Sequence, residues 1–264
     1  MRAAVLVCCA ALVVAHAETN LERGKRVVDE ALAALGGDNF LHMQDRVESG
    51  RAFSFYREKL SGLSVAKIYT RYLIRPEPPE PAFFGVRERE AFGKKEDSAV
   101  LFIDGQGYDV TFRGARPLTD EVLQRFKETT LRNVFYIFRQ RLGEPGLILE
   151  SRGSDVVENQ PVDIVDITDA DNRTITVYFN QITHLPAKQV TYRHDPKTKD
   201  RIEEVTRFSK FRDVGGVQWP YDIGRERDGE KIYQMFSEKV EVNRGLTDNL
   251  FTLPAGMKIL AKPK

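Results

Sequence analysis

Between about residues 147 and 242 the chain offers seven strand-like runs in succession, at 147–156, 160–168, 173–180, 185–194, 201–212, 216–226 and 230–242. Each is rich in β-branched and aromatic side chains. The connections carry turn signals: Asp169-Ala170-Asp171-Asn172, Asp195-Pro196, Gly215-Gly216 and Asp228-Gly229. Links this short leave no room for the crossover that parallel strands need, so the runs must pair antiparallel. A long antiparallel succession curls with its twist, and its inner face must then be covered by something apolar.

The first half of the chain supplies more strands and the cover. Further runs fall at about 47–57, 64–73, 84–92, 98–104 and 107–113, for about twelve strands in all. The stretch from Arg75 to Pro81 is too proline-rich to lie inside a sheet. Strand-like sequence continues on both sides of it, so it reads as a stiff surface connection within one domain, 18–264. Val27, Val28, Ala31, Leu32 and Leu35 recur at helical spacing, with Thr19 or Asn20 to cap and Gly36-Gly37 to close, predicting a helix over about 21–35. A short turn through Phe40, Leu41 and Met43 follows. A second helix is predicted over about 119–142, capped by Thr119 or Asp120. Its apolar face carries Val122, Leu123, Phe126, Leu131, Val134, Phe135 and Phe138, and Gly143 and Pro145 end it. The expected fold is mainly β with α: a single, strongly curved antiparallel sheet of about 11–12 strands, a half-open β-barrel covered by helices.

The first seventeen residues are of another kind. Arg2 is followed by an uncharged apolar run, Ala3 to Val14, and by Ala15-His16-Ala17, with small residues where a signal peptidase needs them. The run is too short for a membrane span, and Val7 before Cys8 argues against a lipid anchor there. Cleavage after Ala17 is expected, with a mature protein in the periplasm. Both cysteines, Cys8 and Cys9, would leave with the signal, so the mature chain would have no disulfide and no thiolate site. The whole chain carries 40 basic and 39 acidic side chains, a formal net charge of +1. Such a balance supplies no field for holding nucleic acid. At 41% hydrophobic and 30% charged residues the chain is neither disordered nor a polytopic membrane protein. A monomer is the expected state.

Alternation suggests which side chains look inward. Phe53 and Phe55 are set against Arg51 and Arg57, Ile175, Val177 and Phe179 against Thr174 and Thr176, and Val217, Trp219, Tyr221 and Ile223 against Gln218 and Asp222. Rings in such a stripe more often make ordinary core than a ligand wall. The expected cavity lining is Phe53, Phe55, Ile68, Val177, Phe179, Trp219, Tyr221 and Phe236, with Phe135 and Phe138 contributed by the second helix.

Signs of catalysis are few. His42, His184 and His194 are scattered without metal-ligand spacing, and no metal or other cofactor is expected. There is no nucleophile elbow or phosphate loop, and Gly105-Gln106-Gly107 reads as a turn. Asp166, Asp169 and Asp171 fit a polar hairpin tip better than a calcium loop. Glu88 and Glu90 could pair as acid and base, but Arg87-Glu88-Arg89-Glu90 reads more simply as an exposed, salt-bridged strand. A binding protein, not an enzyme, is the expectation.

The run Phe208-Ser209-Lys210-Phe211-Arg212-Asp213-Val214-Gly215-Gly216-Val217-Gln218-Trp219-Pro220 is similar to the strand–turn–strand of the outer-membrane lipoprotein-sorting protein superfamily, the periplasmic carriers typified by LolA and LolB. Val240-Glu241-Val242-Asn243 and Leu246 to Pro254 resemble the last strand and tail of those proteins, and Ala34-Leu35-Gly36-Gly37 before Val47 resembles their opening. The resemblance implies a half-barrel whose apolar cavity accepts a lipid, a lipoprotein acyl chain or another hydrophobic ligand, with an envelope membrane protein as a possible partner. Among Arg51, Arg57 and Arg71 on the early strands, none is singled out as the carriers' key basic residue. The competing expectation is an envelope interaction or sensor protein that uses the same fold without transport.

Overall fold

A computed structural model describes residues 17–76, 83–195 and 198–263. The predicted signal peptide up to His16 and most of the proline-rich stretch lie outside the described residues. Among the described residues thirteen strands form one open antiparallel sheet. They are β1 (Asp45–Tyr56), β2 (Lys59–Tyr72), β3 (Val86–Phe92), β4 (Ser98–Ile103), β5 (Gln106–Thr111), β6 (Gly114–Pro117), β7 (Ile148–Val157), β8 (Gln160–Thr168), β9 (Thr174–Asn180), β10 (Pro186–His194), β11 (Arg201–Val214), β12 (Val217–Arg227) and β13 (Glu230–Val242). The order across the sheet is β6-β5-β4-β3-β2-β1-β13-β12-β11-β10-β9-β8-β7, so two meanders meet where the first strand pairs with the last.

The predicted curved, helix-covered sheet is observed, with one strand more than about twelve. The extra strand, β6, is only four residues long, and its outer edge bonds to the C-terminal tail: Ala115 N–H donates to Lys258 O and Leu260 N–H to Ala115 O. Such a partner, distant in sequence, is invisible to local patterning and blunts an exposed edge.

Helix α1 (Asn20–Leu35) begins at Thr19, whose hydroxyl accepts from the Glu22 N–H while Glu22 reaches back to the Thr19 N–H. It buries Val27, Val28, Ala31 and Leu35 against the sheet. Gly24 is required where α1 meets β7, because a Cβ there would sit 2.5 Å from the Leu149 carbonyl oxygen. The short α2 (Asp38–Leu41) buries Phe40 beside it.

The chain must then travel from one edge strand, β6, to the other, β7, and it does so over the helix-covered face. The single helix expected here is broken. Helix α3 (Asp120–Leu131) stops, and Asn133 caps a new turn, α4 (Val134–Tyr136), by accepting from the Phe135 and Tyr136 N–H groups at 3.0 and 3.3 Å. One π turn, Ile137–Arg141, follows. Gln189 of β10 pins the break from below: its oxygen accepts from the Val134 N–H at 2.9 Å and its amide donates to the Arg132 carbonyl at 3.1 Å. The two pieces have different characters. Val134, Phe135, Tyr136, Ile137 and Phe138 are buried, whereas α3 has no buried residue at all.

The sheet carries apolar side chains on both faces. On the helix side, Val165, Ile175, Val177, Phe179, Phe208, Val217, Trp219 and Tyr221 form the main core with α1 and α4. On the other side, Val47, Tyr69, Ala91, Leu101 and Val110 are covered by the C-terminal tail through Phe251, Leu246, Leu250 and Leu253. Asp45 fixes the start of that tail by accepting from the N–H groups of Arg244, Gly245 and Leu246. Because successive side chains alternate, covering Val47 and Tyr69 from outside turns Arg46, Glu48, Ile68 and Thr70 toward the helices.

Candidate functional site

Under α3 lies a cavity of about 380 Å³, within the roughly 300–1,000 Å³ of small-molecule sites. One part of its wall is aromatic. Phe126 of α3 lies flat on Phe102 of β4, with ring centroids 3.5 Å apart, and Phe135 meets both Trp219 and Phe208 at 5.0 Å. The opposite wall is ionisable. Arg46 and Glu48 form an ion pair in which both side chains are buried. Arg46 Nη2 donates to the Thr70 hydroxyl at 3.0 Å, which in turn donates to Glu88 at 3.0 Å. The Ser237 hydroxyl bonds Glu48. The Arg46 guanidinium also lies 4.1 Å over the Trp219 ring, so the indole face joins the two walls by a cation–π contact.

Glu88 and Glu90 stand two residues apart on β3, both facing the cavity. Burial raises the Glu88 carboxyl above its ordinary range despite the attraction of Arg46. Burial and then the neighbouring charge of Glu88 push Glu90 up to about 7, against the pull of Arg225. Tyr233, on the same wall, is pushed up to about 12, chiefly by burial. The native state therefore binds a proton on Glu90 between pH 4.5, the ordinary glutamate value, and about 7, where the unfolded chain has released it. Stability must fall as pH rises through that window. Glu90→Gln is expected to stabilise the protein at pH 8 by roughly 1–3 kcal/mol and to flatten its stability between pH 5 and pH 8. Urea unfolding at the two pH values checks this, and an unchanged pH slope would refute the assignment.

The candidate residues divide into three groups. Ile68, Phe135 and Trp219 line the cavity. Phe138, Val177, Phe179 and Tyr221 lie in the packed core beside it, where Phe138 stacks parallel to Phe179 at 6.1 Å. Phe53, Phe55 and Phe236 do not reach it, which corrects the expected lining. Phe53 packs edge-on against Phe236, centroids 5.7 Å apart, on the face away from the helices, and Phe236 is 36% exposed. Phe55 lies near the hairpin tip, 5.6 Å from the Lys231 ammonium. The reason is parity: Arg51 and Phe53 stand two residues apart on a period-2 strand and look the same way, while a register shift after Ser54 and the turn at Arg57 interrupt the alternation beyond them. It is Ala52 that turns inward, against Ala66 and Met235.

The reading of Arg87 to Glu90 as an exposed salt-bridged strand is likewise corrected. Arg87 faces the tail and pairs with Asp104 and Asp248, while Glu88 and Glu90 face the cavity. None of Arg51, Arg57 and Arg71 lines the cavity; the guanidinium buried in its wall is that of Arg46. At the β8–β9 turn, Asp169 is committed to structure. Burial opposes its ionisation, but the Arg173 N–H and the Arg141 guanidinium hold it below the usual range. Among the described residues no group of three His, Cys, Asp or Glu could hold a metal ion, and no helix is long and apolar enough to cross a membrane.

No protein-family model and no curated protein matches the sequence. Solved structures do match over most of the chain. A DUF1329 family protein from Desulfovibrio piger has a TM-score of 0.60 at 14% identity, over 89% of this chain and 98% of its own. A domain assigned to the outer membrane lipoprotein-sorting proteins, from Vibrio parahaemolyticus, has a TM-score of 0.56 at 10% identity, over 88% and 97%. A LolA superfamily protein from Nitrosomonas europaea has a TM-score of 0.51 at 12% identity, over 87% and 97%. The resemblance suggested by the C-terminal motif is therefore present in three dimensions, as a shared fold.

Proposed function

We propose that this chain is a non-enzymatic binding protein of the cell envelope that holds a lipid or lipoprotein acyl chain, or a similar hydrophobic ligand, in the cavity beneath α3. The observation that carries the reading is the combination of an aromatic-walled cavity with a roof that is not part of the core. Phe126 and Val122 of α3 line the space, yet no residue of that helix is buried. A helix whose apolar stripe faces a cavity gains burial when a chain fills it. Each methylene taken from water contributes about 0.8 kcal/mol, so partial burial of an acyl chain outweighs part of the cost of association. The fold shared with lipoprotein-sorting proteins agrees with such a ligand, and the predicted signal peptide agrees with a periplasmic location. Uptake and release would then be governed by displacement of α3.

Trp219 is the only tryptophan and lines the cavity, so binding has an optical readout. Titration with cis-parinaric acid is expected to quench Trp219 in a saturable one-to-one manner. Mass spectrometry of an organic extract of the purified protein is expected to find a co-purified lipid. A folded protein that gives neither signal would discard the carrier reading in favour of an envelope interaction protein.

A further inference from the structure

Where the helix-side face leaves the cavity and runs toward the β10–β11 and β12–β13 hairpins, its chemistry changes from rings to guanidinium groups. A recess of about 90 Å³ opens there and shares Arg125, Thr129, Thr206 and Arg225 with the main cavity, so the two are continuous. Its wall carries Arg193 from β10, Arg225 from β12, and Arg125 and Arg132 from α3 and its C-terminus, while Arg227 of β12 stands beside it, outside the lining.

These five arginines have few carboxylates to meet them. Glu204 of β11 is shared by Arg193 at 2.9 Å, Arg125 at 3.1 Å and Arg227 at 3.8 Å. Of the other carboxylates of the recess, Glu226 is paired with Arg207 at 2.7 Å, while Glu128 accepts from the neutral Gln124 amide at 3.1 Å and keeps its charge, which leaves the four lining arginines in excess. Arg132 donates to a carbonyl, that of Tyr192, at 3.2 Å. Arg225 lies 5.4 Å from the Tyr233 ring and forms no ion pair among the described residues. Burial, and then the like charges of Arg227 and its neighbours, hold Arg125 below the ordinary arginine range. A local excess of positive charge in a recess partly closed to water is unfavourable until an anion enters it.

We propose that this arginine cluster receives the anionic head group, a carboxylate or phosphate, of an amphiphile whose apolar chain lies in the aromatic cavity. The inference rests on the carrier reading above and narrows it from any hydrophobic ligand to one with an acidic head. Guanidinium forks match carboxylate and phosphate oxygens in pairs, which gives the head a fixed place. The recess is small enough for a head group and opens directly onto space suited to a chain. Of these arginines only Arg225 acts on the Glu88 and Glu90 carboxyls farther along the wall, so that pair leaves the other guanidinium groups uncompensated.

The test is a Trp219 fluorescence titration at pH 7.5 with three twelve-carbon probes, each below its micellar concentration: dodecanoate, dodecanol and dodecyltrimethylammonium. Dodecanoate is expected to bind about tenfold more tightly than dodecanol, with the cation weakest. That preference should shrink at about 0.5 M NaCl, because exposed charge interactions are screened. Inorganic phosphate at about 10 mM should not displace dodecanoate, since it brings no chain. In the Arg193→Gln, Arg225→Gln double variant the dodecanoate-to-dodecanol ratio should fall toward one. If that variant does not fold, the head-group series and its salt dependence on the unaltered protein decide the matter alone. Equal binding of all three probes would overturn the acidic-head proposal while leaving the carrier reading in place. Binding of none would remove both. Displacement of dodecanoate by phosphate alone would show a free-anion site and overturn the amphiphile.

Discussion

Arg46→Leu should destabilise the protein by about 3–5 kcal/mol, the range for removing one partner of a buried ion pair. Glu48 is 2% exposed, and without the guanidinium it would keep, among the described residues, only the Ser237 hydroxyl as a bonding partner on its carboxylate. The link from Arg46 through Thr70 to Glu88 would be cut as well, leaving the Glu88 carboxylate with Arg225 alone of the two charges that offset its burial. Urea unfolding at pH 7 checks the figure as a lower midpoint with an unchanged slope. Adding Glu48→Gln to the leucine variant is expected to restore a large part of the loss, since the damage comes from an uncompensated charge. A leucine variant within about 1 kcal/mol of the original would mean that the pair is not buried as described.

That buried pair was not legible in the sequence, and the reason is instructive. Strand boundaries from Ile148 onward follow local signals closely, because turns such as Asp228-Gly229 are specified by the residues that form them. Which face of β1 to β4 looks inward is decided elsewhere. The tail residues Phe251 and Leu250 cover Val47 and Leu101 from outside, so the polar register, Arg46 with Glu48 and Glu88 with Glu90, is the one left facing the helices. Nothing near residue 46 or 88 announces a cover that begins only at Leu246. Arg46 also precedes the predicted strand start by one position, so the local pattern does not include its alternation with Glu48.

Other differences had a signal available. The period of a strand is two, and counting from Arg51 places Phe53 on the arginine side. The break between α3 and α4 carries its own mark in Asn133, a strong N-cap residue inside an otherwise continuous apolar pattern. The consequence for the site is large. An unbroken helix would have placed Phe126 and Phe135 in one rigid element, whereas the break leaves Phe135 anchored in the core and Phe126 on a separate roof.

That division predicts opposite behaviour for two phenylalanines nine residues apart. Phe135 is 4% exposed and packs against Phe40, Phe208 and Trp219. Phe135→Ala is expected to cost about 3–5 kcal/mol, through lost burial and the added cavity. Phe126 is only half-buried, stacks on Phe102 and meets Phe84 at a tilt at the cavity's roof. Phe126→Ala should cost roughly 1 kcal/mol, because α3 has no buried side chain to unseat. It should nevertheless weaken uptake of cis-parinaric acid several-fold, since the ring is part of the surface the chain would cover. Denaturant midpoints and Trp219 quenching, measured on the same samples, separate the two effects. Equal destabilisation by both substitutions would make α3 an integral part of the core, and undiminished uptake by Phe126→Ala would remove it from the ligand wall.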